Sequence, residues 1–189
     1  TSMMLALRPD LVHMDLVPAD DEGKARNRLQ ALREAGVQTG IWWYADHPTL
    51  PLKNAVAVLN LDQLRPLYPL KILRTLAVDE TTLGDTARNI AAPMGVEVRA
   101  DVEPERGLLQ RSDHWPLMEK GVPPISFIFG FDPGTEAEAR YREWYTTRYH
   151  RPQDDISQPI DFVAARDFNT FYSRLVAEVA NAPERPTWK

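Results

Sequence analysis

One imidazole and one carboxylate stand out for where they lie in the chain. His150 sits in Tyr149-His150-Arg151-Pro152-Gln153-Asp154, and Asp62 closes the apolar run Ala55-Val56-Ala57-Val58-Leu59-Asn60-Leu61-Asp62. A neutral imidazole and a carboxylate are ligands that a Zn²⁺ ion takes from a protein. Both stand where an apolar segment gives way to polar loop residues, the usual place for a site. Asp154 follows His150 at a spacing that lets its carboxylate bond the second ring nitrogen, the outer support of a metal-bound histidine. A third segment, Ser112-Asp113-His114-Trp115-Pro116, reads as a helix start capped by Ser112 or Asp113, or as a pocket wall with Asp113 or His114 facing a ligand. Each residue also has a plain structural role open to it. Asp62 can cap a turn after a strand, and a single His is often a surface or packing residue.

The elements that would position these residues follow from hydrophobic pattern and punctuation. Residues 11–17 are a short strand candidate. Asp20-Asp21-Glu22 opens a helix running to about Glu34, with acids at its positive end, and Gly36 ends it. Residues 37–45, rich in aromatic and branched side chains through Ile41, Trp42, Trp43 and Tyr44, predict a strand. The apolar run 55–61 predicts a strand buried on both faces, the mark of a central parallel strand. Residues 70–78 and 125–129 predict two more strands, with a short extended piece at 96–100. Helices are expected over 83–94, stopped by Gly95, and from Ser112 to Gly121. Residues 130–159 form a long excursion with a helix around 136–145, and excursions of that length usually serve function or lack order. The clearest helix covers 160–181, where Ala164, Phe168, Phe171, Leu175 and Val179 make one apolar stripe. Strands alternating with helices give an α/β fold: three layers, with a mixed, mostly parallel central sheet flanked by helices. In such sheets, sites lie beyond the carboxyl ends of strands. Asp62 and the segment after Phe129 both hold that position.

Bulk composition narrows the function classes. The 189 residues suit one domain, 1–189, with a real core. Lys and Arg number 22 against 27 Asp and Glu, and no basic block interrupts the mixture, so the phosphate-neutralising patch of a nucleic-acid binder is absent. No apolar run reaches the roughly 20 residues of a membrane span. The absence of cysteine excludes disulfides and thiolate ligands. Thr1-Ser2-Met3-Met4 shows no charged signal-peptide region and reads as a processed end, a cloning remnant or the edge of a longer chain.

Taken together, the motifs resemble a known set. Asn60-Leu61-Asp62, then Arg111-Ser112-Asp113-His114-Trp115-Pro116 leading to Gly121-Val122-Pro123, then Tyr149-His150-Arg151-Pro152-Gln153-Asp154 fall in the order seen in the zinc-dependent exopeptidases. That family includes bacterial aminopeptidases, glutaminyl cyclases and transferrin-receptor-like proteins. Glu103-Pro104-Glu105-Arg106-Gly107 resembles the acidic-Gly segment of one subgroup. The similarity runs from about Tyr44 to the C-terminus. It implies that Asp62 is a terminal ligand of one zinc and His150 a ligand of the other. It also implies that Tyr149 stabilises a tetrahedral oxyanion, that Asp154 is an outer carboxylate, and that Asp113 and His114 line the substrate pocket. The implied activity is hydrolysis of N-terminal peptide bonds by metal-activated water, on a peptide substrate, with one or two zinc ions. A secreted or periplasmic location is also implied.

The N-terminal part departs from that pattern, and residues 1–43 are atypical. The family adds a His-x-Asp segment, a bridging Asp and a Glu-Glu pair, and this chain has no Glu-Glu pair. Counting back from Asp62 through His47-Pro48 puts the pair on Glu34 and Ala35, which keeps the general base and loses a ligand. Glu34 is also readable as an exposed acid at a helix end. His13-Met14-Asp15 has the His-x-Asp spacing, with Asp20 or Asp21 then bridging, which makes His13 a candidate ligand. A second expectation follows from the incomplete set: a non-catalytic relative or fragment that binds a partner or peptide, with Trp42, Trp43, Trp144 and Tyr145 as candidate contacts.

Overall fold

The computed structural model describes residues 40–62, 64–110 and 112–189. The strand at 11–17, the helix to Glu34, and the candidates His13, Asp20, Asp21 and Glu34 lie outside the described residues. The described chain runs α1 (Ile41–Asp46), β1 (Val58–Asn60), β2 (Ile72–Leu76), α2 (Leu83–Ala91), β3 (Glu97–Ala100), α3 (Trp115–Glu119), β4 (Pro124–Phe129), α4 (Glu136–Thr147) and α5 (Phe162–Asn181).

The four strands form one sheet in the order β1-β4-β2-β3. β1 pairs with β4 in parallel through Val58↔Pro124 and Asn60↔Ser126. β2 pairs with β3 in parallel and with β4 antiparallel, Leu73 opposite Phe129 and Leu76 opposite Ser126. The sheet is therefore mixed and mostly parallel, with helices around it, the α/β class that the pattern of elements predicts.

Alternation along the strands divides the sheet faces. On one face Leu73, Phe127 and Phe129 point with Ile125 toward α5. Phe168 and Phe171 of α5 meet Phe127 edge-on at 6.3 and 5.1 Å between ring centres. The predicted stripe Ala164, Phe168, Phe171, Leu175 and Val179 is the buried face of that helix. α2 adds Leu83, Ala87 and Ala91, each fully buried. On the other face Arg74 lies with its guanidinium carbon 4.2 Å from the centre of the Phe131 ring and donates to the Phe131 carbonyl at 2.7 Å.

Local signals explain most boundaries. The Asp161 carboxylate accepts from the Ala164 N–H at 2.9 Å and starts α5. Thr135 does the same for α4, accepting from the Glu138 N–H. Gly95 takes φ +68° to end the helical run 83–94, a left-handed turn that glycine enters without strain.

Three expectations are corrected. Residues 41–46 are helical, not a strand: the aromatic run is bounded by Gly40 at φ +56°, and Trp43 stacks on His47 one turn later at 3.8 Å, a pairing that helical spacing makes possible. The run 55–61 forms a strand only over Val58–Asn60, half-buried and pairing with β4 alone among the described strands. It lies at the edge of that sheet rather than at its centre. The central positions go to β2 and β4, whose residues are all buried. α3 begins at Trp115 rather than Ser112, because the Ser112 carbonyl takes the Trp115 N–H and Pro116 suits a first helical turn.

Candidate functional site at the carboxyl edge

β1 and β4 run in the same direction, so Asn60 and Phe129 leave the sheet at the same edge. Asp62 follows β1 in an exposed turn. The chain then returns along the end of β4. The Leu64 carbonyl accepts from the Phe129 N–H at 3.4 Å and the Pro66 carbonyl from the Asp161 N–H at 2.8 Å. The Tyr68 hydroxyl donates to the Phe129 carbonyl at 3.1 Å. The segment 64–68 that follows Asp62 is thereby fastened to β4 and to the start of α5.

Asn60 links the first motif to the second. Its Nδ2 lies 3.1 Å from Nδ1 of His114, and Nε2 of His114 lies 3.3 Å from Oγ of Ser112. Oγ of Ser112 also lies 2.6 Å from the Leu109 carbonyl. A carbonyl only accepts, so the Ser112 hydroxyl donates to Leu109 and must accept from His114. Nε2 therefore carries the proton, and Nδ1 accepts from the Asn60 amide. His114 is completely buried, and burial pushes its pKa down to about 4. The ring is neutral near pH 7 and serves as a two-ended connector. His114 thus faces inward among protein groups, whereas Asp113 beside it is exposed.

His150 is positioned by a ladder of rings. Tyr141, Tyr145 and Tyr149 repeat every four residues along α4 and the turn beyond it, so they lie on one face. Tyr141 stacks on Tyr145 at 6.1 Å, Tyr145 on Tyr149 at 4.9 Å, and Tyr149 on His150 at 3.8 Å. The ladder starts in the core, where Tyr141 meets Phe131 at 5.0 Å, and ends at the exposed His150 ring. His150 has φ +56°, a backbone region that residues other than glycine seldom enter. No hydrogen bond joins His150 to Asp154. The Asp154 carboxylate accepts instead from the Gln158 side-chain amide, because the turn that seats the imidazole on Tyr149 directs the following loop back toward α5.

Arg65 occupies the space between these two segments. Its guanidinium carbon lies 5.0 Å from the ring centre of Tyr149, 5.2 Å from Trp144, 5.4 Å from Tyr141 and 5.5 Å from Tyr145. Such distances are those of cation–π attraction. Nη1 also donates to the Tyr141 hydroxyl at 2.9 Å. Arg106 donates to the same hydroxyl at 3.0 Å and pairs with Glu103 at 3.1 Å. Glu103 pairs in turn with Arg142 at 2.8 Å. Sequence reasoning singles out the Glu103–Gly107 segment but not Arg65 or its place in this network. The one available signal was the aromatic repeat at 141, 145 and 149 on a predicted helix.

The arrangement brings two of the three motifs into direct contact and sets the third on a rigid ring stack. Among the described residues, no group of three His, Cys, Asp or Glu side chains could hold a metal ion. A catalytic zinc usually takes three protein ligands, so the described residues by themselves do not make a zinc centre, although Asp62 and His150 are donors of the right kind. No described helix is long and apolar enough to cross a membrane.

Comparison with known proteins agrees with this picture. The model of peptidase family M28 matches residues 34–176. No curated protein matches the chain. Among solved structures the chain is similar to the crystal structure of BSAP, a zinc aminopeptidase from Bacillus subtilis. The TM-score is 0.53 and the identity 25%, over 74% of this chain and 32% of the aminopeptidase. The chain thus spans about a third of that protein's length.

Proposed function

The chain belongs to peptidase family M28, and from that premise we propose that its carboxyl-edge site works as a zinc-dependent aminopeptidase that removes N-terminal residues from peptides. The observation that supports this most directly is the Asn60–His114–Ser112 connection. It ties the segment ending in Asp62 to the Ser-Asp-His segment, within the part of the chain that matches the family. A coincidental likeness of motifs would not place their side chains in contact.

In this reading Asp62 and His150 are the described ligand donors. His13, as a further ligand, and Glu34, as the general base that takes a proton from water, are expectations of the sequence that lie outside the described residues. The Tyr149 hydroxyl donates to the oxyanion of the tetrahedral intermediate, a role that needs a donor fixed before the reaction. The stack from Tyr141 to His150 supplies that fixity. Asp113, exposed beside the buried His114, is the acid of that motif free to meet the substrate, and Asp154 steadies the His150 loop through Gln158.

Metal analysis of the purified protein, with hydrolysis of aminoacyl-nitroanilides at increasing zinc, tests the proposal. Bound zinc with turnover that Asp62→Asn abolishes is the expected result. A protein that takes up no zinc and shows no turnover at high zinc overturns it, and leaves the non-catalytic binding domain as the reading.

A further inference from the structure

We propose that Arg65 is a positioning residue, holding the Tyr149–His150 segment against the segment that leaves Asp62. The inference rests on the reading above only in what it means for metal binding. Its structural content stands on the geometry of Arg65 itself.

Arg65 follows Asp62 by three positions, yet its guanidinium lies over Tyr149, the residue before His150. Its side chain reaches from the segment after Asp62 to the segment that carries His150. Only 6% of it is exposed, so its charge is sheltered from water, where cation–π attraction is strongest. Its backbone has φ +52°, a conformation L residues rarely adopt. Such a conformation persists when the surroundings fix it, and it gathers at functional sites. Here the Leu64 and Pro66 carbonyls on either side are both held, and the guanidinium is held by the Tyr141 hydroxyl and the ring faces around it.

The consequence is a chain of rigid contacts from one loop to the other. Leu64 and Pro66, on either side of Arg65 in the segment that follows Asp62, are tied to β4 and to the start of α5, and His150 stacks on the Tyr149 ring that Arg65 lies over. Packing alone would be satisfied by any large apolar side chain at position 65. Positioning requires a planar cation that reaches the Tyr141 hydroxyl and the Tyr149 face at once.

NMR of the four histidine imidazoles provides the test. His150 stacked on Tyr149 carries a ring-current shift. In Arg65→Met that shift is expected to vanish, moving the His150 signal to the position of an unstacked, exposed histidine. His47, stacked on Trp43, and the buried His114 are internal controls expected to stay in place. Unmoved His150 signals in a folded Arg65→Met protein overturn the proposal, since they show a role in stability alone. If Arg65→Met does not fold, Arg65→Lys and Tyr141→Phe replace it: both should shift His150 part of the way, and no shift in either overturns the proposal. Zinc competition with a chromogenic chelator is the second readout. Affinity should fall about tenfold in the variant, as it does when the support of a ligating histidine is lost, and a shifted His150 with unchanged affinity overturns the positioning role. A wild-type protein that takes no zinc refutes the aminopeptidase reading, while the His150 shift still decides the role of Arg65.

Discussion

Nδ1 of His114 accepts a hydrogen bond from the side-chain amide of Asn60 across 3.1 Å, joining residues far apart in sequence beneath the loop that carries Asp62. Because Nε2 donates to Ser112, the imidazole is satisfied only when neutral. A second ring proton would confront the amide hydrogens of Asn60.

That geometry gives a pH dependence with a definite sign. Burial lowers the His114 pKa from 6.5 to about 4. The unfolded chain therefore binds a proton at a higher pH than the folded chain does. Stability should be level above about pH 6.5, fall as pH drops from there to about 4, and lose roughly 3 kcal/mol from this residue in all. Urea unfolding at stepped pH, compared with His114→Gln, measures it. A slope in this range that is equal in both proteins refutes the assignment.

Glu103 should behave in the opposite way. Burial pushes its carboxyl pKa up, but bonds from Arg142 and Arg106 outweigh burial and hold it below the usual carboxylate range. Its contribution is present above the ordinary value and disappears as pH falls through the depressed one. Glu103→Gln should cost about 1–2 kcal/mol at neutral pH, and the gap to wild type should close in acid. Paired denaturation curves at neutral and acidic pH would reveal it.

Two glycines separate steric from conformational need. A Cβ on Gly84 would stand 1.8 Å from the Val78 carbonyl oxygen, a backbone atom that cannot yield without moving β2's exit. Gly84→Ala should destabilise by about 3 kcal/mol or more. Gly95 has open space around it but φ +68°, so Gly95→Ala should cost only about 1 kcal/mol. Melting temperatures of the two variants should rank in that order.

Asp62 and His150 are both exposed, so they can be changed without disturbing the core. Asp62→Asn and His150→Asn should stay within about 0.5 kcal/mol of wild type, Asn being tolerant of the left-handed backbone at position 150. Both should abolish aminoacyl-nitroanilide hydrolysis. Retained turnover in either would remove that residue from the site.

The sequence by itself determined the elements whose signals are local. The stripe of α5 repeats at helical spacing within one segment, Gly95 stops its helix by backbone freedom alone, and 125–129 is apolar and branched enough to be a buried strand in any sheet. It also contained the three motifs in order, and with them the family. The tertiary structure decided the rest. The aromatic run at 41–46 is helical because Trp43 finds His47 a turn away, which strand propensity does not register. The run 55–61 pairs on one side only among the described strands, since neighbours and not composition set a strand's place in a sheet. His114 is an inward connector rather than a pocket wall, and that depended on Asn60 arriving at its ring from another strand. Arg65 lies among rings contributed by residues 141–149. Contacts between segments so distant in the chain leave no periodic trace in sequence, because they are fixed only when the sheet brings two loop exits to one edge.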